Sequence, residues 1–294
     1  MRKKISNNEL MQKLFHLPTF LVLTAITLFP IIYSIYISFF GYTLSKPGSE
    51  KQFVGFQNFI NIFSDAGFWN SMLVTVKFVF GVTVVQVVFG LVIALILNSI
   101  VKGKKILTSL VMVPMMVAPL IVGLMYSFIL NPQFGLYTFF IDYFNLPLTI
   151  SPLSSATSAL IVMMITDIWE WTPFMVLMIL AALQSVPVSP YEAAMIDGAT
   201  EFQTLRYITL PLIKPVILVA TILRAMEAFK EFDKPYILTG GGPGAATEVI
   251  DMFTYREAFI NFNFSYAAAL SLVLFILLLA GGILYGRLIM EQEK

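Results

Sequence analysis

Long apolar runs separated by short polar stretches dominate the pattern of residues along this chain. A helix that crosses a bilayer needs about 20 mostly apolar residues. Six windows satisfy that condition, at roughly residues 17–40, 72–97, 107–130, 155–183, 212–232 and 266–286. The fifth window is the weakest because it contains Arg224, Glu227, Lys230 and Glu231. The pattern therefore predicts an all-α membrane protein with six transmembrane helices in one domain, residues 1–294.

The segments between the windows carry their own signals. Apolar residues recur at helical spacing from Phe53 to Phe63, with polar residues between them, which predicts an amphipathic helix at the membrane surface. The prolines and glycine of residues 131–154 indicate a turn region outside the membrane. The glycine-rich run 239–244 is a stretch that no helix is expected to cross.

Composition agrees with a membrane protein and excludes several function classes. Hydrophobic residues make up 58% of the 294 positions and charged residues 12%, about half the share in soluble domains; the mean hydropathy is +0.85. A net charge of +1 offers no basic stripe for nucleic acid. With no cysteine and one histidine, neither a metal cluster nor a nucleophile–base pair can be assembled. We therefore expect no catalytic residue, no metal and no cofactor.

The distribution of lysine and arginine around the windows predicts the orientation in the membrane. Basic residues concentrate in cytoplasmic flanks. One side has eleven (Arg2, Lys3, Lys4, Lys13, Lys102, Lys104, Lys105, Arg206, Lys214, Arg287, Lys294) and the other has four (Lys46, Lys51, Lys234, Arg256). Both termini are thus expected in the cytoplasm. The first apolar run is too long for a signal peptide and is expected to remain as a span.

Ionisable residues within the fourth window are candidates for a solute path. Asp167 and Glu170 are three residues apart and share a helical face, beside Trp169 and Trp171. A charge at the centre of a membrane helix costs about 2.5–3.5 kcal/mol, so such residues usually face a cavity or a partner. Carboxylates can bind hydroxyl groups, and indole rings can stack on sugar rings. These side chains therefore suit a sugar path.

The fifth window adds Arg224 and Glu227, again three residues apart. They complete the set of candidate solute-path residues. The alternative for all these charges is structural: they pair with one another or join two membrane subunits. Glycosidase chemistry, which also uses two carboxylates, finds no soluble catalytic domain here.

The polar segment 187–211 lies on the predicted cytoplasmic side and has the signals of a short helix. Pro187 and Pro190 interrupt the exit from the fourth window, and Ser189 or Pro190 can begin a new helix. Glu192 falls in the first turn, where the helix dipole favours an acid. Gly198 is placed to end the helix in a left-handed conformation. On composition alone, an ordinary interfacial helix between two spans is an equally good interpretation.

The spacing within this segment resembles a known family. Glu192-Ala193-Ala194, three residues, Gly198, nine residues, Ile208, one residue and Leu210-Pro211 is similar to the signature loop of permease subunits of bacterial ABC importers. Other segments resemble the carbohydrate branch of maltose and glycerol-phosphate type. They are residues 131–135, Trp171-Thr172-Pro173-Phe174, residues 232–244 and Tyr266-Ala267-Ala268-Ala269.

The resemblance implies a type I ABC importer permease of the bacterial inner membrane. It implies that the loop, with Glu192, Ala193, Ala194, Asp197, Gly198, Ile208, Leu210 and Pro211, couples the chain to an ATPase subunit. A second permease subunit, two ATP-binding cassette subunits and a solute-binding protein are then expected partners. The chain has no phosphate-binding glycine loop of its own, in agreement with that division of labour.

Two function hypotheses follow from these observations. The first is an ATP-driven importer subunit for a sugar, oligosaccharide or related polyol. The second is a secondary transporter driven by an ion gradient, with Asp167, Glu170 and Glu227 as proton or sodium sites. The two hypotheses differ in their energy source.

Overall fold

A computed structural model describes residues 7–43, 51–145 and 151–292. Most of this part of the chain is helical, as the sequence predicts. The helices are interrupted by a hairpin of two short strands, a 3₁₀ turn (Pro114–Met116) and two π-helical turns (Leu205–Thr209 and Arg256–Ile260). The elements are α1 (Asn7–Ser38), β1 (Phe40–Gly41), β2 (Gln52–Phe53), α2 (Gln57–Ser64), α3 (Ala66–Ser99), α4 (Lys104–Met112), α5 (Pro119–Ile129), α6 (Leu136–Tyr143), α7 (Ala156–Ser185), α8 (Ser189–Ile196), α9 (Glu201–Thr204), α10 (Leu210–Phe229), α11 (Asp233–Leu238), α12 (Ile250–Tyr255) and α13 (Phe264–Gln292).

Within the described residues, five helical segments are long and apolar enough to cross a membrane. They are Phe15–Ser38, Ala66–Ser99, Ala156–Ser185, Glu201–Phe229 and Phe264–Arg287. These segments coincide with the first, second, fourth, fifth and sixth predicted spans. The fifth begins earlier than predicted, because residues 201–211 continue into α10 as helix.

The third predicted span, 107–130, is not one helix. It consists of the end of α4, the 3₁₀ turn and α5, which has only 11 residues. Pro114 and Pro119 lack backbone N–H groups and lie in the first turns of the 3₁₀ turn and of α5, where that loss costs little. At about 1.5 Å per residue, α5 alone is too short to cross the hydrocarbon core. The turn region predicted at 131–154 also contains a helix, α6, and residues 146–150 lie outside the described ones.

The chain divides into two compact units, of which the first comprises Met1–Asp65 and Thr254–Leu277. In this unit β1 and β2 form an antiparallel hairpin that pairs Phe40 with Phe53. The side-chain amide of Asn58 on α2 donates to the carbonyl oxygens of Ser38 (2.7 Å) and Phe40 (2.9 Å). The Tyr266 hydroxyl of α13 donates to Asp65 at the end of α2, over 2.8 Å.

The second unit comprises Ala66–Phe253 and Leu278–Lys294, and its core is formed by α3, α7 and α10. One buried apolar cluster contains Ala94 on α3, Met175 and Ile179 on α7, and Ala220 on α10. Another contains Phe78 and Val82 on α3, Met163 on α7 and Ala228 on α10. Along each of these three helices, the residues between the two clusters include a buried polar or charged side chain.

Gly90 sets how closely α3 approaches α7. A Cβ atom at Gly90 would lie 2.5 Å from Cβ of Met175, whereas at Gly81 it would meet the flexible end of Met164 at 3.0 Å. We expect Gly90→Ala to destabilise the protein by about 1–3 kcal/mol through overpacking. The matched Gly81→Ala variant is expected to cost less, because Met164 can change rotamer. Thermal unfolding in detergent measures the difference, and equal midpoints for the two variants would contradict it.

Candidate functional site

The segment 187–211 begins with α8, whose first backbone hydrogen bonds run to Val188 and whose C-terminal end is capped. The N–H groups of Tyr191 and Glu192 donate to the carbonyl of Val188, over 3.0 and 3.2 Å. At the other end, the N–H of Gly198 donates to Met195 (3.2 Å) and that of Ala199 to Ala194 (2.9 Å). This pair of bonds is a Schellman motif, and it requires a left-handed residue, here Gly198 with φ +71°. The start and end of the helix agree with the prediction.

The structure separates the predicted coupling residues by exposure. Glu192, Ala193, Asp197 and Gly198 are exposed, whereas Ala194 is buried. Several apolar side chains of the same segment are exposed as well. Each has more than 60% of its surface accessible: Val188, Met195, Ile196, Phe202 and Tyr207. Exposed apolar surface of this kind is a candidate for contact with another protein or with the membrane.

The remaining coupling residues lie within a continuous helical segment. Thr200 and Gln203 form a capping box at the start of α9: the Gln203 N–H donates to the Thr200 hydroxyl, and the Thr200 N–H to the Gln203 side chain. The π-helical turn that follows contains Ile208 and leads to Leu210 and Pro211, which begin α10. The sequence did not predict this turn, which precedes a proline that cannot donate a backbone hydrogen bond.

An open pocket of about 610 Å³ lies beside α8. Tyr191 and Met195 of α8, Phe202 of α9, Leu205 of the π-helical turn and Leu95 of α3 contribute to its wall. The Tyr191 hydroxyl donates to the Thr209 hydroxyl over 3.2 Å, which ties α8 to the helix that follows it. The Tyr191–Thr209 hydrogen bond therefore braces α8 against the following helix, while Glu192 and Ile196 stay exposed.

Part of the second group of predicted residues belongs to a buried charge cluster, which we define as Gln86, Asp167, Glu170, Arg224, Glu231 and Lys234. Arg224 of α10 donates to the carboxylate of Asp167 on α7. Its Nε also donates to the side-chain amide oxygen of Gln86, over 2.8 Å. The Gln86 amide donates in turn to the Asp167 carboxylate at 3.0 Å. All three side chains are fully buried. Gln86 uses both ends of its amide and so fixes the relative positions of the acid and the base.

Lys234 closes the other side of the charge cluster. Its ammonium group lies 2.8 Å from Asp167, 2.6 Å from Glu170 and 2.9 Å from Glu231. All of these groups are nearly or fully buried, so each charge depends on its partners for solvation. The sequence places Lys234 among the flanking charges outside the membrane. The structure shows it instead as the central cation of a buried site.

The structure brings together only part of the predicted solute-path set. Asp167, Glu170 and Arg224 belong to the charge cluster, and Trp171 lies against it, with its ring 5.1 Å from the Arg224 guanidinium. Trp169 points elsewhere, is partly exposed and packs edge-on against Tyr126. Glu227 is exposed and pairs with Lys230 at 2.8 Å on the surface of α10. Asp167, Glu170 and Arg224 are therefore paired with other charges of this chain, as the structural alternative to a solute path predicts.

Gln86, Glu231 and Lys234 are the members of the charge cluster that were absent from the predicted set. The three-residue spacing of Glu231 and Lys234 is a signal that the sequence does contain. Within the described residues, no group of histidine, cysteine, aspartate and glutamate side chains is arranged to hold a metal ion.

Comparison with known proteins identifies the family. Residues 86–289 match the family described as binding-protein-dependent transport system inner membrane component. The chain belongs to this family. The permease is accordingly a multi-pass protein of the inner membrane. It works in an importer with a solute-binding protein, a second permease subunit and ATPase subunits.

Individual relatives and solved structures agree with this assignment. The permease is 37% identical to the trehalose/maltose transport system permease protein MalF of Thermococcus litoralis, over 92% of the permease and 90% of that protein. It is 30% identical to the trehalose transport system permease protein SugA of Mycobacterium tuberculosis, over 88% and 81% of the two chains. A chain of a bacterial ABC transporter involved in alginate import superposes with a TM-score of 0.83 at 22% identity, covering 98% of the permease and 97% of that chain. The fold is that of a type I ABC importer permease, and the relatives are transport permeases rather than enzymes.

Proposed function

We propose that the permease and a second permease subunit form the path for a sugar or oligosaccharide, and that α8 docks on an ATPase subunit. The relatives support the choice of cargo, since they include trehalose and maltose permeases. The observation that carries the proposal is the geometry of α8. This helix is capped at its C-terminal end, is tied to Thr209 through Tyr191, and exposes Glu192.

The docking step follows from what α8 exposes. Glu192 lies in the first turn and is accessible to a basic side chain of the ATPase, as the resemblance implies. Ala193 adds only a methyl group to the surface, so a groove can approach the helix closely. The exposed apolar side chains of Met195 and Ile196 would be buried by such a groove, which is the main source of binding free energy. Movement of the ATPase would reach α10 through the helix that begins at Glu201.

The proposed solute path runs along the exposed residues of the predicted set. Glu227 and Lys230 are about half exposed at the end of α10, beyond Leu223 on the same face. Contact of a charged side chain with hydrocarbon is unfavourable, so this face is expected to line a cavity or meet the second permease. Trp169 offers part of its indole surface for stacking on a sugar ring. The charge cluster would hold the helices that carry these residues in position.

Reconstitution tests this function against the secondary-transporter alternative. The permease is assembled with its partner subunits in liposomes, and uptake of labelled trehalose and maltose is measured. We expect uptake only when ATP, magnesium and the solute-binding protein are all present. A proton or sodium gradient without ATP is expected to drive no uptake.

The outcomes separate the energy source from the cargo. Gradient-driven uptake by the permease alone would overturn the ABC assignment of its mechanism. ATP hydrolysis that the binding protein stimulates, without uptake of any sugar offered, would contradict the carbohydrate class and leave the coupling mechanism in place.

A further inference from the structure

The helix α2, in the first unit, presents three different faces. Asn58 and Ile62 form a buried face. Gln57, Asn61 and Ser64 form an exposed polar face on which the Gln57 amide donates to Asn61 over 2.8 Å. Ile60 and Phe63, continued by Phe56 just before the helix, form an exposed apolar face, with 57–68% of each side chain accessible. At 100° per residue, this apolar face is separate from both others.

The two ends of α2 are fixed to the ends of two membrane spans. Asn58 binds the carbonyl of Ser38, the last residue of α1. Asp65, which follows the helix, accepts a hydrogen bond from Tyr266 in the first turn of α13. The helix α2 therefore lies beside the end of α1 and the start of α13, where both spans are expected to leave the hydrocarbon.

An aromatic cluster extends the apolar face of α2 onto the end of α1. The ring of Phe39 is 5.3 Å from that of Phe56 and 5.7 Å from that of Phe59. The membrane segment of α1 is itself almost wholly exposed and has a mean hydropathy of 2.2, so its surface requires lipid or a membrane partner. The apolar face of α2 therefore continues the exposed apolar surface of a membrane span.

We propose that α2 is an interfacial helix that binds the lipid leaflet in which α1 ends. Its apolar face enters the boundary between headgroups and acyl chains, and its polar face meets water and headgroups. A helix with one apolar and one polar face at this height lies in the membrane plane with its apolar side immersed about 5–10 Å. The contact anchors the extracytoplasmic ends of α1 and α13 against rotation if the termini are cytoplasmic, as the charge distribution predicts.

The absence of cysteine from the chain allows a test with single-cysteine variants. Ile60→Cys places a label on the apolar face, and Asn61→Cys is its matched control one residue away on the polar face. Each is labelled with an environment-sensitive fluorophore in the assembled transporter, with cysteine-free partner subunits, in phosphatidylcholine vesicles. Quenching is measured with lipids brominated near the carbonyl end of the acyl chains and with aqueous iodide. Retained ATP-driven uptake verifies the fold of each variant.

We expect brominated lipid to quench the label at residue 60 at least about threefold more than at residue 61, and iodide to show the reverse order. Equal quenching at the two positions by either agent would overturn the proposal. Protection of residue 60 from both agents would instead assign the face to the second permease. Protection that develops only when the solute-binding protein is added would assign it to that protein.

Discussion

Replacing Asp167 by alanine is expected to lower the stability of the permease by about 3–5 kcal/mol, because the change leaves Arg224 buried without its carboxylate. Lys234 also loses one of its three carboxylate partners. Desolvated cations cannot recover their hydration inside the charge cluster, so the penalty far exceeds that of a lost surface contact. Thermal unfolding of the detergent-purified transporter should show a fall in midpoint on the order of 10 °C.

A matched pair of variants separates burial from charge. Glu227→Gln also removes one carboxylate from an ion pair, but that pair is half exposed and is expected to be worth at most about 1 kcal/mol. The double variant Asp167→Leu with Arg224→Leu removes acid and base together and should recover much of the loss, while Lys234 keeps Glu170 and Glu231. If the single Asp167 variant is no less stable than Glu227→Gln, the charge cluster does not hold the helices together.

Replacing Glu192 by lysine is expected to stop ATP-driven transport while the permease still inserts into the membrane. If α8 docks as proposed, the change brings a positive charge against a basic residue of the ATPase. Like charges at an interface cost several kcal/mol, which corresponds to attachment at least about 100-fold weaker. Co-purification of the ATPase and uptake into liposomes measure the two effects.

Glu201→Lys is the matched control for the Glu192 variant. Glu201 is also an exposed glutamate in the first turn of a helix in the same segment. We expect the control to retain transport; loss in both variants would indicate a general charge effect rather than docking through α8. Gly198→Pro should reproduce the Glu192 defect by a different route, because it removes the N–H bound to Met195 and cannot adopt φ +71°.

Most elements were predictable because their signals are local. The start of α8 after Pro187 and its end at Gly198 depend on residues within one helical turn of the boundary. The amphipathic helix before the second span was evident from spacing alone, and the structure places it at Gln57–Ser64. The third span was mistaken for one helix because an average over its apolar residues conceals Pro114 and Pro119, which divide it.

The partners in the charge cluster were not predictable because they are distant in the sequence. Spacing placed Asp167 and Glu170 on one face of α7, but Arg224 and Lys234 bind them from 57 and 64 residues further along the chain. A periodic pattern reports which residues share a face and contains no information on what the face meets. Lys234 was assigned to a flank for the same reason: a short segment after a span returns it to the protein interior. The coupling and solute-path roles stay predictions.

The order in which the charge cluster is synthesised bears on how the permease enters the membrane. The acids of α7 leave the ribosome before Arg224, and Lys234 follows later still. A growing chain that ends before Lys234 holds Asp167 and Glu170 in a span with only one of their cations, and each unpaired charge there costs about 2.5–3.5 kcal/mol. We therefore expect α7 to become stable in the membrane only after α10 and α11 have been synthesised.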